Sequence, residues 1–233
     1  MKKNPIRTVL CVLLSILLLF SGAFAALAEE PTVDDPPIED PIVVSEPVDE
    51  TTETVARLHI CYHKVNPKKP TGHVFLYLEN LSDETLMVGV YDLPPNEGVS
   101  IGSFGFTRSD GFGIYYNTES YLYANDETPT LCLSDDLTRE ELAKFSHRLL
   151  YSNTWDFIFF NCTAFAFMMW NTAARPFLMP LLFPVFSLLQ LKLYGAGELP
   201  GMFFPQRDRI YRLRGTGSNA RLEIVSDKSI KDE

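Results

Sequence analysis

The sequence predicts an α+β domain in which an antiparallel sheet packs on a buried helix. Two observations carry this. From Ala56 to Tyr116 short apolar runs, some strictly alternating, are separated by polar turns, as strands are. From Thr138 the spacing turns helical, and the helix that opens at Asn161-Cys162 is apolar on nearly all sides.

In chain order, Lys2, Lys3 and Arg7 precede an apolar run from Thr8 to Phe20, followed by small residues and the cleavage points Ala23-Phe24-Ala25 and Ala26-Leu27-Ala28. Residues 1–28 read as a secretory signal peptide, so the protein is expected to be exported, secreted or associated with the cell envelope. Residues 29–54 hold ten acidic residues, five prolines and no Lys or Arg, a composition that cannot bury a core, so a disordered linker is expected. These two segments also explain the net charge of -10, since 17 basic and 20 acidic residues remain from Val55 onward. A nearly neutral domain over 55–226 implies no nucleic-acid partner.

Leu58, Ile60 and Tyr62 alternate with His59, Cys61 and His63, which predicts a half-buried strand. A metal on His59, Cys61 and His63 would lack an evident fourth ligand, and neither metal nor cofactor is expected. His73 to Glu79 reads as a strand, and Leu86 to Tyr91, beyond the turn 80–85, as its antiparallel partner. Val99 to Phe104 and Phe112 to Tyr116 supply two more strands. Thr138-Arg139-Glu140-Glu141 is a capping box opening a helix over 138–151, with His147 at its solvated or core edge. The Cys162 helix runs to about Ala174 and stops at Arg175-Pro176. Phe177 to Tyr194, broken by Pro180 and Pro184, reads as a broken helical segment or apolar flap over the domain, with peripheral membrane contact as the alternative. Arg207, Arg209, Arg212 and Arg214 suit a basic strand edge, and 227–233 a frayed tail.

The chemistry centres on Cys162. Asn161 is a preferred N-cap, and a thiol just inside it meets the positive end of the helix dipole together with amides able to hold an oxyanion. The competing reading is a cysteine packed in a core. Three cysteines follow the signal peptide, and Cys61 paired with Cys132 leaves Cys162 free in one consistent arrangement. A cysteine nucleophile needs a base and a group to orient it. His73, opening a strand after Gly72, is the candidate base. If Glu79 faces Leu86 in the hairpin, Asp92 falls opposite His73; a slip of one residue puts Tyr91 there. Glu79 itself lies about 20 Å along the strand from His73, beyond contact.

His73 precedes Cys162 by 89 residues. Gly72-His73 opening a strand, with Asn161-Cys162 opening an apolar helix much later, resembles the circularly permuted branch of the NlpC-like papain superfamily. That branch includes lecithin:retinol acyltransferase relatives and bacterial thiol hydrolases. Gly72-His73-Val74-Phe75-Leu76, Val99-Ser100-Ile101-Gly102, Ile114-Tyr115-Tyr116-Asn117 and Asn161-Cys162-Thr163-Ala164-Phe165-Ala166 are also similar to exported proteins of Gram-positive bacteria. The resemblance spans about residues 56 to 205. It implies a permuted papain-like fold, Cys162 as nucleophile and His73 as base, with an acyl-enzyme formed from an amide or ester. It departs from the family where Val90, Tyr91 and Asp92 offer no second histidine, and where Thr163 and Ala164 replace the Glu-His of the acyltransferase relatives. Export makes a peptidoglycan peptide the expected substrate. The alternatives are acyl transfer or ester hydrolysis on a lipid-like substrate, and a non-catalytic binding domain.

Overall fold

The computed structural model describes residues 53–64, 72–105, 112–123, 130–152, 161–181, 184–199 and 204–227. The expected signal peptide, nearly all of the expected linker, the aromatic run 155–160 before Asn161 and residues 228–233 lie outside them. All described residues fall in one compact unit, Pro47–Glu233.

Eight strands form one antiparallel sheet: β1 (Thr54–His63), β2 (His73–Asn80), β5 (Gly98–Phe104), β6 (Gly113–Tyr116), β7 (Thr130–Thr138), β8 (Gly197–Leu199), β9 (Arg209–Arg214) and β10 (Arg221–Asp227). Their spatial order is β10-β9-β6-β5-β2-β1-β7-β8. Two short strands, β3 (Leu86–Val88) and β4 (Tyr91–Leu93), make a separate hairpin. The helices are α1 (Thr118–Tyr123), α2 (Arg139–Leu150), α3 (Cys162–Ala173) and α4 (Pro184–Leu193).

Period-2 alternation on β1 and β2 divides the residues between two covered faces. Leu58, Ile60, Val74, Leu76 and Leu78 face α2 and α3, where Leu142, Phe145, Leu149, Phe165, Phe167 and Trp170 complete the main core. Each such fully buried side chain contributes roughly 2 kcal/mol, so α3 is held mainly by packing. The Thr138 hydroxyl accepts from the Glu141 amide, and the Glu141 carboxylate from the Thr138 amide, which starts α2 at the expected residue.

The opposite face carries a ladder of polar and aromatic groups in register. Thr130, His63 and His73 form one rung; Cys132, Cys61 and Phe75 the next; then Ser134, His59 and Tyr77; then Asp136, Arg57 and Glu79. Phe204 and Tyr123 pack on this face beside Cys61, Phe75 and Tyr77.

The α+β class with a large antiparallel sheet stands, but three expectations are corrected. β2 does not pair with residues 86–91; its partners are β1 and β5. Gly89, at a φ of 66°, supplies the left-handed turn that folds β3 back onto β4 instead. The basic strand β9 is not an edge, since β10 covers its outer side. Nor does the tail begin at Asp227, which belongs to β10. The sequence reading also missed β7, because Asp135 and Asp136 are poor strand residues. Arg57 engages Asp136 at 2.6 Å, and Asp135 accepts from the Arg175 amide at 2.6 Å, so both acids are satisfied in place.

Candidate active site

At one end of the sheet three layers each contribute a group. α3 brings Cys162, β2 brings His73, and α1, on the far face, brings Glu119.

Asn161 starts α3. Its side-chain oxygen accepts from the amides of Thr163 at 3.0 Å and Ala164 at 3.1 Å, and its carbonyl from the Phe165 amide. The cap therefore consumes two of the amides that the sequence offered to an oxyanion. The first-turn amide it leaves is that of Cys162 itself. Asn161 is thus a capping residue whose side-chain oxygen accepts.

Cys162 is partly exposed. Its sulfur hydrogen-bonds the His73 ring and takes the Val74 amide, and the Thr163 hydroxyl lies 4.0 Å away. Burial acts to raise the thiol pKa; the bond to His73 and its charge, the Val74 amide and Thr163 outweigh it and hold the thiol below its ordinary value.

His73 is nearly buried, between Phe104, with ring centroids 4.6 Å apart, and Phe75 at 5.7 Å. Its Nε2 lies 2.8 Å from Glu119 Oε1, which leaves Nδ1 for the thiol. Burial acts to lower the imidazole pKa, and the bonds to Cys162 and Glu119 overcome it, lifting the value to about 10. Both shifts act in the same sense, favouring the thiolate–imidazolium form of the pair over the neutral one.

Glu119 is fully buried. It reaches His73 because β5, not β3, lies beside β2 and because β5 presents Gly102 beneath it. A Cβ at Gly102 would stand 2.1 Å from Glu119 Oε1. Asn117, at a φ of 67°, turns the chain from β6 into α1, and its amide bonds the Ser100 carbonyl. Ser120 is tied to the Ser100 hydroxyl at 3.2 Å.

Asp92, the expected orienting group, is exposed and pairs with Met87; the residue opposite His73 is His63. Tyr91 does not face His73 either: its ring stacks on Tyr116 and its hydroxyl accepts from Asn117. Both errors follow from the hairpin that β2 does not make. Glu119 was missed; its signals were a glycine inside an apolar strand, which marks a close approach, and an acid just after the Asn117 turn.

The other polar residues of β1 are occupied by the sheet. His59 contacts Ser134 at 2.7 Å and Glu79 at 2.9 Å, His63 contacts Thr130 at 2.8 Å, and the sulfurs of Cys61 and Cys132 lie 2.8 Å apart. Burial pushes the Cys61 thiol well up. His147 is exposed and packs against Tyr151. Among the described residues no group of three His, Cys, Asp or Glu side chains is arranged to hold a metal ion.

No protein-family model, curated protein or solved structure matches this chain.

Proposed function

We propose that the protein is an exported thiol hydrolase that cleaves an amide bond, with a cell-wall peptide as substrate. The observation that supports this is the line Cys162, His73, Glu119: a thiol at a helix N-terminus, an imidazole bonded to it, and a buried carboxylate holding the other ring nitrogen. The same order of groups supports a permuted papain-like assignment for the fold.

The Cys162 thiolate attacks the carbonyl carbon and its sulfur bonds to it, while the carbonyl electron pair moves onto oxygen beside the Cys162 amide. As the C–N bond breaks, protonated His73 gives its Nδ1 proton to the departing amine. Water then attacks the thioester with neutral His73 taking its proton. The acid is released, and thiolate and imidazolium return. Glu119 keeps the ring oriented and favours its protonated form throughout.

Alkylation of the unreduced protein at mildly acidic pH tests the thiol. Cys162 is expected to react at least about tenfold faster than Cys61 or Cys132, and His73→Ala to abolish the difference. Reaction of Cys162 only after unfolding overturns the reading. For the substrate, purified peptidoglycan should release new amino termini with the wild type and, with Cys162→Ala, at a rate lower by about 10⁴-fold. Equal release by the two proteins would show that Cys162 is not the nucleophile.

A further inference from the structure

The helix α4 is built the wrong way round for a helix facing water. Its inward side carries Ser187 and Leu191, both fully buried. Its outward side carries Val185, Leu189 and Leu193 at spacings of four, which places them on one stripe. Leu189 is 65% exposed and Leu193 77%. The segment leading to the helix adds Phe177, 67% exposed, and Met179, 54% exposed. That segment is fixed to the domain: the Leu178 amide donates to Asn171 Oδ1 at 2.8 Å, and Asn171 Nδ2 donates to the Leu178 carbonyl at 2.7 Å. Leu178 is buried while its neighbours face out, so their exposure belongs to the fold and not to a frayed end.

Charge gives the occupant. Residues 175–196 contain no Asp or Glu, and their only charged side chains are Arg175 and Lys192, both exposed. Within a domain that is otherwise nearly neutral this is a cationic, apolar island. Of the acids beside this segment, Asp135 accepts from the Arg175 amide and Glu141 closes its capping box, while Glu198, exposed on β8, follows two residues beyond it. We infer that the outward face of α4, with Phe177 and Met179, docks on the surface of an anionic lipid bilayer. The apolar side chains enter the boundary of the acyl chains, and the Arg175 and Lys192 heads meet lipid phosphates. A helix of ten residues, about 15 Å long, lies along such a surface and does not cross it. Among the described residues no helix is long and apolar enough to span a membrane. The inference does not depend on Cys162 being catalytic.

The test places a reporter on the face in the full chain. Leu189→Trp is mixed with vesicles of phosphatidylglycerol and phosphatidylcholine carrying brominated acyl chains, and its added emission is followed. The apolar run Thr8 to Phe20 can itself bring the chain to a vesicle, but it does not bury residue 189, so quenching reports this face alone. The added emission is expected to fall at least about twofold on the anionic vesicles and to recover when Leu193→Glu is added. Ile224→Trp, an exposed position on β10, should remain unquenched. No quenching at residue 189, or equal quenching on vesicles of phosphatidylcholine alone, overturns the proposal. So does an emission shift that grows with protein concentration without lipid, because that assigns the face to a second copy of the chain.

Discussion

Two histidines on the same face of the sheet each hold a glutamate through Nε2, His59 with Glu79 at 2.9 Å and His73 with Glu119 at 2.8 Å. What separates them is the other ring nitrogen. In His59 it meets the hydroxyl of Ser134, a residue on a neighbouring strand. In His73 it is left for Cys162, at the start of a helix where an unshared amide and the dipole favour negative charge. The carboxylates differ too, as Glu79 is partly exposed and Glu119 fully enclosed. A histidine with a carboxylate is therefore not a site in itself; in the function proposed above it becomes one where a helix delivers a thiol with a free amide beside it.

Among changes to the two histidine pairs, the largest effect should come from removing the charge on the carboxylate of the His73 pair. Glu119→Gln keeps the shape, and because Glu119 Oε2 lacks a hydrogen-bond partner among the described residues, the change adds no new unpaired atom. A drop of about 10²-fold in kcat/KM is expected. The pH profile sharpens the test. With Glu119 present the imidazolium persists up to about 10, so activity that depends on it falls only as pH rises toward that value. The raised value likewise stabilises the fold fully below 6.5, and that contribution is lost as pH climbs through about 10. In Glu119→Gln both alkaline limits should move downward. An unchanged alkaline limb would reduce Glu119 to a packing residue.

A smaller effect is expected from Gly102→Ala. The new methyl, 2.1 Å from Glu119 Oε1 and 2.8 Å from the Phe104 ring, forces the carboxylate off His73 and presses on one of the rings that flank it. Overpacking of this kind costs about 1 to 3 kcal/mol of stability. Activity should fall about tenfold, and the alkaline limb should shift in the same direction as in Glu119→Gln. A loss of stability alone, with the pH profile unmoved, would separate Gly102 from the positioning of Glu119.

These two residues also mark where local sequence stops being informative. The two ends of the candidate site were legible: the Asn161 cap announces α3, and the alternation after Gly72 announces β2, because caps and strand periodicity are written within a few residues. The third group was not. Glu119 is 46 residues from His73, and their meeting depends on β5 lying beside β2. Strand order is decided by pairing over the whole sheet, and the polar turn after Asn80 looked like an ordinary hairpin. In the structure that turn is a loop closed by Asn80, whose amide group bonds the Glu84 and Leu93 carbonyls. Local register points to Asp92 and is silent on Glu119 for one reason: it does not carry the long-range strand order.

The smallest effect should follow from dismantling the other pair. Ser134 is exposed, and its hydroxyl satisfies His59 Nδ1 at the edge of the ladder. Ser134→Ala removes that contact while Arg57 and Asp136, one rung further along, still tie β1 to β7 at 2.6 Å. The expected cost is about 1 kcal/mol or less in stability, read from denaturant midpoints, with kcat/KM changed less than about twofold. The null is informative because His59 sits on the same strand as His63, which pairs with His73, so a site spread along the whole ladder would feel the loss. A drop in activity approaching that of Glu119→Gln would show that the two histidine pairs act together, and the contrast between them would fail.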